Sequence, residues 1–433
     1  MKPRVVVTGI GAISPNGIGK DAYWHALTSG ISGIKKISTF DISQYPSKVA
    51  GEISDFNPAN YMDRKMANRL SRFTQFALAS TRMAVEDSAL KINDSYRAGI
   101  SLGTAIGGLE IAEKECCVFY TKGMDKISPF SVMSMNSNSA VGIIAIEFNI
   151  NGINTTISTG CSAGLSAIAH AYDIISNGRA DIMIAGGAEA PLFPVTFESF
   201  CASQVLSKRN GDPTKASRPF EKNRDGYILG EGAGIVILEK LDHALERKAK
   251  IYVEIAGYGV TNDSYSIFKM EPTGKNVSRT IKLCMEDAKV SPEEIDYINA
   301  HGSSSVVADK RETNAIKSTL GECAYRIPIS SIKSMIGQSL SASASLQFIT
   351  SVLAVDTNWL PPTINYEEQD PECDLDYIPN KARNSREINT ALINSFGAGG
   401  NNISMAIRKY KDEKYYNGQV RNYLPYEYTQ CAI

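Results

Sequence analysis

The stretch TTISTGCSAG, residues 155–164, sets Cys161 between an apolar, β-branched run and the first turn of a helical segment. Free cysteine usually packs as a small buried hydrophobe. Here Gly160 precedes the thiol and Gly164 follows it. Helical spacing then begins, with Leu165, Ile168, Tyr172 and Ile175 on one face and Asn177-Gly178 as a stop signal. A strand-turn-helix elbow lifts a side chain out of its sheet. The free N–H groups and helix dipole at such an elbow are expected to lower the thiol pKa and to cradle an oxyanion. The pattern sets a nucleophile beside the reading of a buried packing thiol.

A nucleophilic thiol needs a base or a hydrogen-bond donor, and the chain has four histidines. His25, His170 and His243 fall inside helical stretches beside small or polar residues and read as surface or packing groups. His170 lies about 13 Å along the helix that Cys161 opens, at ~1.5 Å per residue, which is out of reach. His301 ends IDYINA and opens HGSSS, at the C-terminal edge of a strand, where α/β sites gather. Two glycine-rich stretches carry other readings. TGIGAISPNGIG has Ser14, followed by Pro15, in place of the third glycine of a dinucleotide fingerprint. SFGAGG, residues 395–400, lacks the Lys-Ser/Thr of a phosphate loop, and its glycines suit close approach of backbone to a ligand.

The elements that must hold these groups alternate almost to the end of the 433 residues. Strand-like runs occupy 4–10, 97–106, 155–159, 180–189, 234–240, 251–260, 295–301, 326–332 and 389–395, with helical spacing at 68–90, 165–176, 276–289, 310–319 and 339–354. Such alternation argues for an α/β layered fold of two similar halves. With Lys+Arg 45 against Asp+Glu 46, the net charge of −1 supplies no global field for nucleic acid or an anionic membrane. No signal-peptide block or membrane-length apolar run is present, so the cytoplasm is the expected compartment. The eight cysteines form no CxxC pair and read as reduced thiols, with no metal site expected. The tyrosine-rich segment 410–433 is expected to lie outside the core.

Several motifs then coincide in order: STGCSAG around Cys161, NAHGSSS at 299–305, SSIKSMIGQ at 330–338 and NSFGAGG at 394–400. RPFEKNRDGYILGEGAG (218–234) and KISPFSVMSMNSN (126–138) extend the set. Together they resemble the β-ketoacyl-acyl carrier protein synthases, the thiolase-fold condensing enzymes of type II fatty acid and polyketide synthesis. The match runs from VVVTGIG to about residue 409, and the TGC form looks similar to polyketide ketosynthase α subunits. The resemblance implies an α/β thiolase-like fold with duplicated βαβαβ halves in a five-layered α-β-α-β-α arrangement, the halves spanning 1–250 and 251–409.

Carried over residue by residue, the resemblance implies that Cys161 takes an acyl chain from carrier-protein phosphopantetheine. It makes His301 the group that supports malonyl decarboxylation and Lys333 an orienting group paired with Glu312. Ser303 and Ser305 fall where pantetheine-binding threonines stand, and Phe396 and Ala398 fall in the glycine-rich loop at the acyl site. The N–H groups of Cys161 and Ala398 are the implied oxyanion hole. Gln338 stands where the family has a second catalytic histidine, and it donates an N–H but carries no proton charge. Ser341 and Ala344 replace glycines, and Ala398 replaces a gate phenylalanine. The implied reaction is a decarboxylative Claisen condensation without metal or redox cofactor. The alternatives are an acyltransferase without decarboxylation, or a chain-length-factor-like subunit. The implied partners are an acyl carrier protein, met by Arg64, Lys65, Arg69, Arg72, Lys208 and Arg209, and a second ketosynthase subunit in a homodimer or heterodimer.

Overall fold

The computed structural model describes residues 2–267 and 269–411, so the segment 410–433 lies almost wholly outside the described residues. The first half contributes β1 (Val5–Ser14), β2 (Ala98–Gly103), β3 (Asn154–Ile157), β4 (Ile182–Glu189) and β5 (Gly232–Lys240). The second contributes β6 (Val253–Asn262), β7 (Tyr297–Asn299), β8 (Ile329–Ser330), β9 (Thr390–Phe396) and β10 (Asn401–Lys409). With a short Gly17–Ile18 strand on β1, they form one eleven-stranded sheet.

The spatial order is β1-β5-β4-β2-β3 in the first half and β6-β10-β9-β7-β8 in the second, the same permutation of chain order. The directions repeat too: in each half the first two pairings are antiparallel and the last two parallel. That identity is the signature of the expected duplication. The halves meet along β1 and β6 only at Val6–Glu254 and Val7–Val253, where Arg4 holds both Glu254 carboxylate oxygens through its Nε and Nη2.

Five helices complete the layers: α1 (Arg72–Ser88), α2 (Ala163–Ser176), α3 (Lys275–Ala288), α4 (Val306–Leu320) and α5 (Leu340–Thr357). Helix α1 covers the outer face of β1 and β5, and α3 covers β6 and β10. Helices α2 and α5 pack on each other between the two sets of strands, α5 touching β4 and β5 on one side and β9 and β10 on the other. Helix α5 is buried at every position from Leu340 to Val355, as a helix enclosed on all sides must be. Its serines and threonines are tolerated there because they bond carbonyls within the helix, as Thr350 does to Leu346 O at 2.9 Å. Small residues bring the two central helices into backbone contact: a Cβ on Gly164 would lie 2.4 Å from Ser341 O. Among the described residues no helix is long and apolar enough to cross a membrane.

β10 was not anticipated, because it follows the SFGAGG turn directly and begins with two polar asparagines. It pairs with both β9 and β6 and so closes the second half.

Candidate active site

β3 ends at Ile157, a 3₁₀ turn spans Gly160–Ser162, and α2 starts at Ala163, so Cys161 sits on the expected elbow. Gly160 has φ +64°, a left-handed conformation that favours glycine. The hairpin turn between β9 and β10 closes over this elbow. Ser395 Oγ donates to Cys161 O at 3.4 Å. A Cβ on Gly397 would lie 2.8 Å from Thr159 O and 3.2 Å from Cys161 N, so the turn approaches the Cys161 elbow backbone to backbone.

The thiol does not have the lowered pKa that the elbow suggested. Burial pushes it above the ordinary cysteine value, the N–H groups of Ala398 and Cys161 and the Lys333 charge pull it partly back, and the Glu189 carboxylate opposes them. Desolvation outweighs the local dipoles. Cys161 is a neutral thiol with the Ala398 and Cys161 N–H groups against its sulfur. Alkylation of Cys161 by iodoacetamide is therefore expected to accelerate about tenfold per pH unit from pH 7 to 9, because the reactive thiolate fraction is still rising. A rate plateau near neutral pH would contradict this.

His301 follows β7 and is buried. Glu312, from α4, accepts the His301 and Gly302 N–H groups at 2.9 and 2.8 Å. Lys333 Nζ donates to the His301 carbonyl at 2.5 Å and to Gln347 Oε1 at 2.7 Å. Lys333 and Glu312 do not hydrogen-bond each other; they hold the His301–Gly302 peptide by its carbonyl and its amide, and the Glu312 charge acts on the Lys333 ammonium against the larger effect of burial. Gln347 was missed; its signal was an isolated amide inside the small and apolar run of α5. It also donates to Ala300 O at 2.6 Å and Asn394 O at 3.1 Å, tying the histidine loop to β9. Burial raises the Glu312 pKa and lowers that of Lys333.

The His301 ring accepts the Phe396 N–H on Nδ1 at 3.3 Å, which places its own proton on Nε2. Burial, then the charges of Lys333 and Arg311, hold its pKa well below the ordinary histidine value. It is a neutral hydrogen-bond donor.

Gln338 is clamped by its backbone: its N–H donates to Ile228 O at 2.7 Å and its carbonyl accepts from Gly230 at 2.9 Å. Its side chain is buried, and Oε1 has no partner within the described residues. An unpaired buried amide costs about 1–3 kcal/mol, so the group it faces matters. It lines a cavity of about 550 Å³ together with Cys161 and His301. Ser303, Ser305, Phe396 and Ala398 line the same space. The Ser303 hydroxyl is unpartnered among the described residues, whereas Ser305 caps α4 with its hydroxyl facing Ala308 N at 3.5 Å. Lys333 and Glu312 stand behind this lining.

The basic set separates. Arg64, Lys65 and Arg69 are exposed, and the last two border a different, apolar cavity, with Arg69 4.0 Å over the Phe130 ring. Arg72 turns inward and is corrected as a docking residue: it bonds both oxygens of buried Glu231 at 2.6 and 2.8 Å, and Ile53 O at 2.6 Å. Lys208 is exposed beside the cavity with Cys161, whereas Arg209 pairs with the cavity-lining Asp225 at 3.6 Å.

Residues 2–244 match the family model of the β-ketoacyl synthase N-terminal domain, and residues 252–367 that of its C-terminal domain. A 3-oxoacyl-(acyl-carrier-protein) synthase 2 of Synechocystis sp. is 44% identical over 412 residues, covering 95% of this chain and 99% of that protein. The corresponding protein of Staphylococcus aureus is 41% identical over 410 residues, with 94% and 99% covered. Among solved structures, the AntDE:AntF complex, a type II polyketide acyl-carrier protein with its ketosynthase bound to the hexaketide, matches with TM-score 0.88 at 37% identity, covering 95% of this chain and 100% of that one. The ishigamide ketosynthase/chain length factor matches with TM-score 0.89 at 34% identity and the same coverage. With both duplicated halves matched and a thiol elbow facing a neutral histidine between them, the chain belongs to the β-ketoacyl synthase family, acyltransferases of the condensing type.

Proposed function

We propose that this β-ketoacyl synthase runs the full decarboxylative condensation with a Cys161, His301 and Gln338 set. The observation that carries this reading is the convergence in one cavity of a thiol, a neutral Nε2–H donor and the Gln338 amide. Cys161 sulfur attacks the carbonyl of a carrier-bound acyl thioester, and the carbon–sulfur bond to pantetheine breaks. The proton from Cys161 leaves on the pantetheine thiol. A malonyl thioester then enters past Ser303. Its carboxyl carbon–carbon bond breaks, carbon dioxide leaves, and the electron pair forms an enolate whose oxygen accepts from His301 Nε2–H and the Gln338 amide. The enolate carbon attacks the Cys161 thioester, the oxyanion lies on the N–H groups of Cys161 and Ala398, and collapse returns the Cys161 thiolate, which takes a proton from water to restore the resting thiol. The electron balance closes without a redox group.

An acyl carrier protein delivers both substrates, docking beside Lys208 at the cavity mouth. A second ketosynthase subunit completes the assembly, and the reaction takes place in the cytoplasm. The test is incubation of the chain, alone and with a related subunit, with acyl- and malonyl-carrier protein. The expected result is an acyl mass on Cys161, released carbon dioxide and an elongated product. An adduct without carbon dioxide release would assign an acyltransferase instead, and no adduct under any pairing would assign a non-elongating subunit.

A further inference from the structure

One polar group in this cavity has no part in the reaction described above. Tyr227 lies in the stretch GYILG, and its backbone is clamped: its N–H donates to Val205 O at 3.1 Å and its carbonyl accepts from Ser207 N at 3.0 Å. The next residue, Ile228, holds Gln338 through its carbonyl, so Tyr227 and Gln338 share one brace. The Tyr227 ring packs edge-on to Phe200 at 6.4 Å between centroids, in the apolar cluster of Phe197, Leu206 and Leu340 that also receives Cys161. Both Tyr227 and Cys161 line the catalytic cavity. No hydrogen bond holds the Tyr227 hydroxyl among the described residues. Burial first, and Cys161 second, push the phenol above its ordinary pKa, so it stays a neutral O–H.

The thioester oxygen already has the N–H groups of Cys161 and Ala398, and the enolate has His301 and Gln338. A saturated acyl chain lying against Tyr227 would strip water from its hydroxyl and return nothing, a cost that sites built to hydrogen-bond their substrate use to reject analogues. An oxygen on the chain near the thioester would replace that water. We infer that Tyr227 is a specificity-determining residue whose hydroxyl hydrogen-bonds an oxo or hydroxyl oxygen carried by the acyl chain next to its thioester. The site thereby selects oxygenated chains over saturated ones. This inference rests on the condensation reading, since it needs Cys161 to accept the chain.

The test compares acylation of Cys161 by the N-acetylcysteamine thioesters of octanoate and β-hydroxyoctanoate, read as intact mass against time. Wild-type protein is expected to favour the hydroxylated ester by about tenfold in kcat/KM. Tyr227→Phe keeps the ring and its packing but removes the hydroxyl that a saturated chain leaves stranded, so it is expected to raise the rate with octanoate and lower that with the hydroxylated ester until the two agree within about twofold, with the melting temperature preserved. No preference in the wild type, or an equal loss with both esters in Tyr227→Phe, would overturn the inference while leaving the condensation reading intact. Absence of acylation by either ester at Cys161 would overturn both.

Discussion

Cys161→Ala is expected to abolish the acyl adduct and to cut elongated product by about 10⁴-fold or more, the scale on which loss of a covalent nucleophile is felt. Six other cysteines fall in the described residues, and none of them lines the catalytic cavity. Cys116 and Cys117 are exposed, and Cys201, Cys284, Cys323 and Cys373 are buried. The substitution removes a single sulfur from a half-buried position bordering open space, so the variant is expected to stay folded, within about 1 kcal/mol of wild type by urea titration. His301 and Gln338 are untouched, so carbon dioxide release from malonyl-carrier protein is expected to continue, uncoupled from elongation. Intact mass spectrometry and a carbon dioxide assay on the same sample read both halves. A persistent adduct in the alanine variant would place the nucleophile elsewhere.

Gln338→Ala is expected to lower carbon dioxide release about 10²–10³-fold, the usual cost of removing one preorganised donor from a developing oxyanion. Acylation of Cys161 is expected to remain within about threefold, because the thioester oxygen is served by backbone N–H groups. That split between two steps of one cycle identifies Gln338 as an enolate donor, since a residue that merely filled space would move both steps together or neither. Gln338→Glu makes the case sharper. The side chain is nearly isosteric, but a carboxylate offers acceptors toward an enolate in place of donors. Its expected loss of decarboxylation is at least that of alanine. Gln338→His restores a ring N–H donor and is expected to retain condensation. The backbone clamp to Ile228 and Gly230 positions residue 338 whatever its side chain. Carbon dioxide release in Gln338→Ala within threefold of wild type would remove Gln338 from the chemistry.

Much of the site was legible in the chain. The nucleophile elbow rests on signals a few residues apart: a β-branched run, a glycine whose φ is left-handed, and helical spacing that starts immediately after. The two halves were visible as repeated alternation, although the identity of their strand orders needed β10, hidden behind its glycine turn. His301 stood out for its place at a strand end.

The sequence alone therefore determined most of the order of elements, the strand-turn-helix elbow under Cys161 and the place of His301 at a strand end, while the family resemblance singled out Gln338. What tertiary structure decided is which groups those residues meet. Lys333 reaches the His301 carbonyl across 32 residues, and Arg72 reaches Glu231 across 159. No local spacing encodes either contact. The Cys161 thiol is raised where its elbow suggested the opposite, because desolvation sums over everything that encloses the sulfur. Tyr227 is one tyrosine within a quoted motif until the fold turns it toward the cavity. Backbone geometry and periodicity are local and can be read along the chain. Burial, charge partners and the occupants of a cavity are set by segments far apart in sequence, and they exist only once the two halves close around α2 and α5.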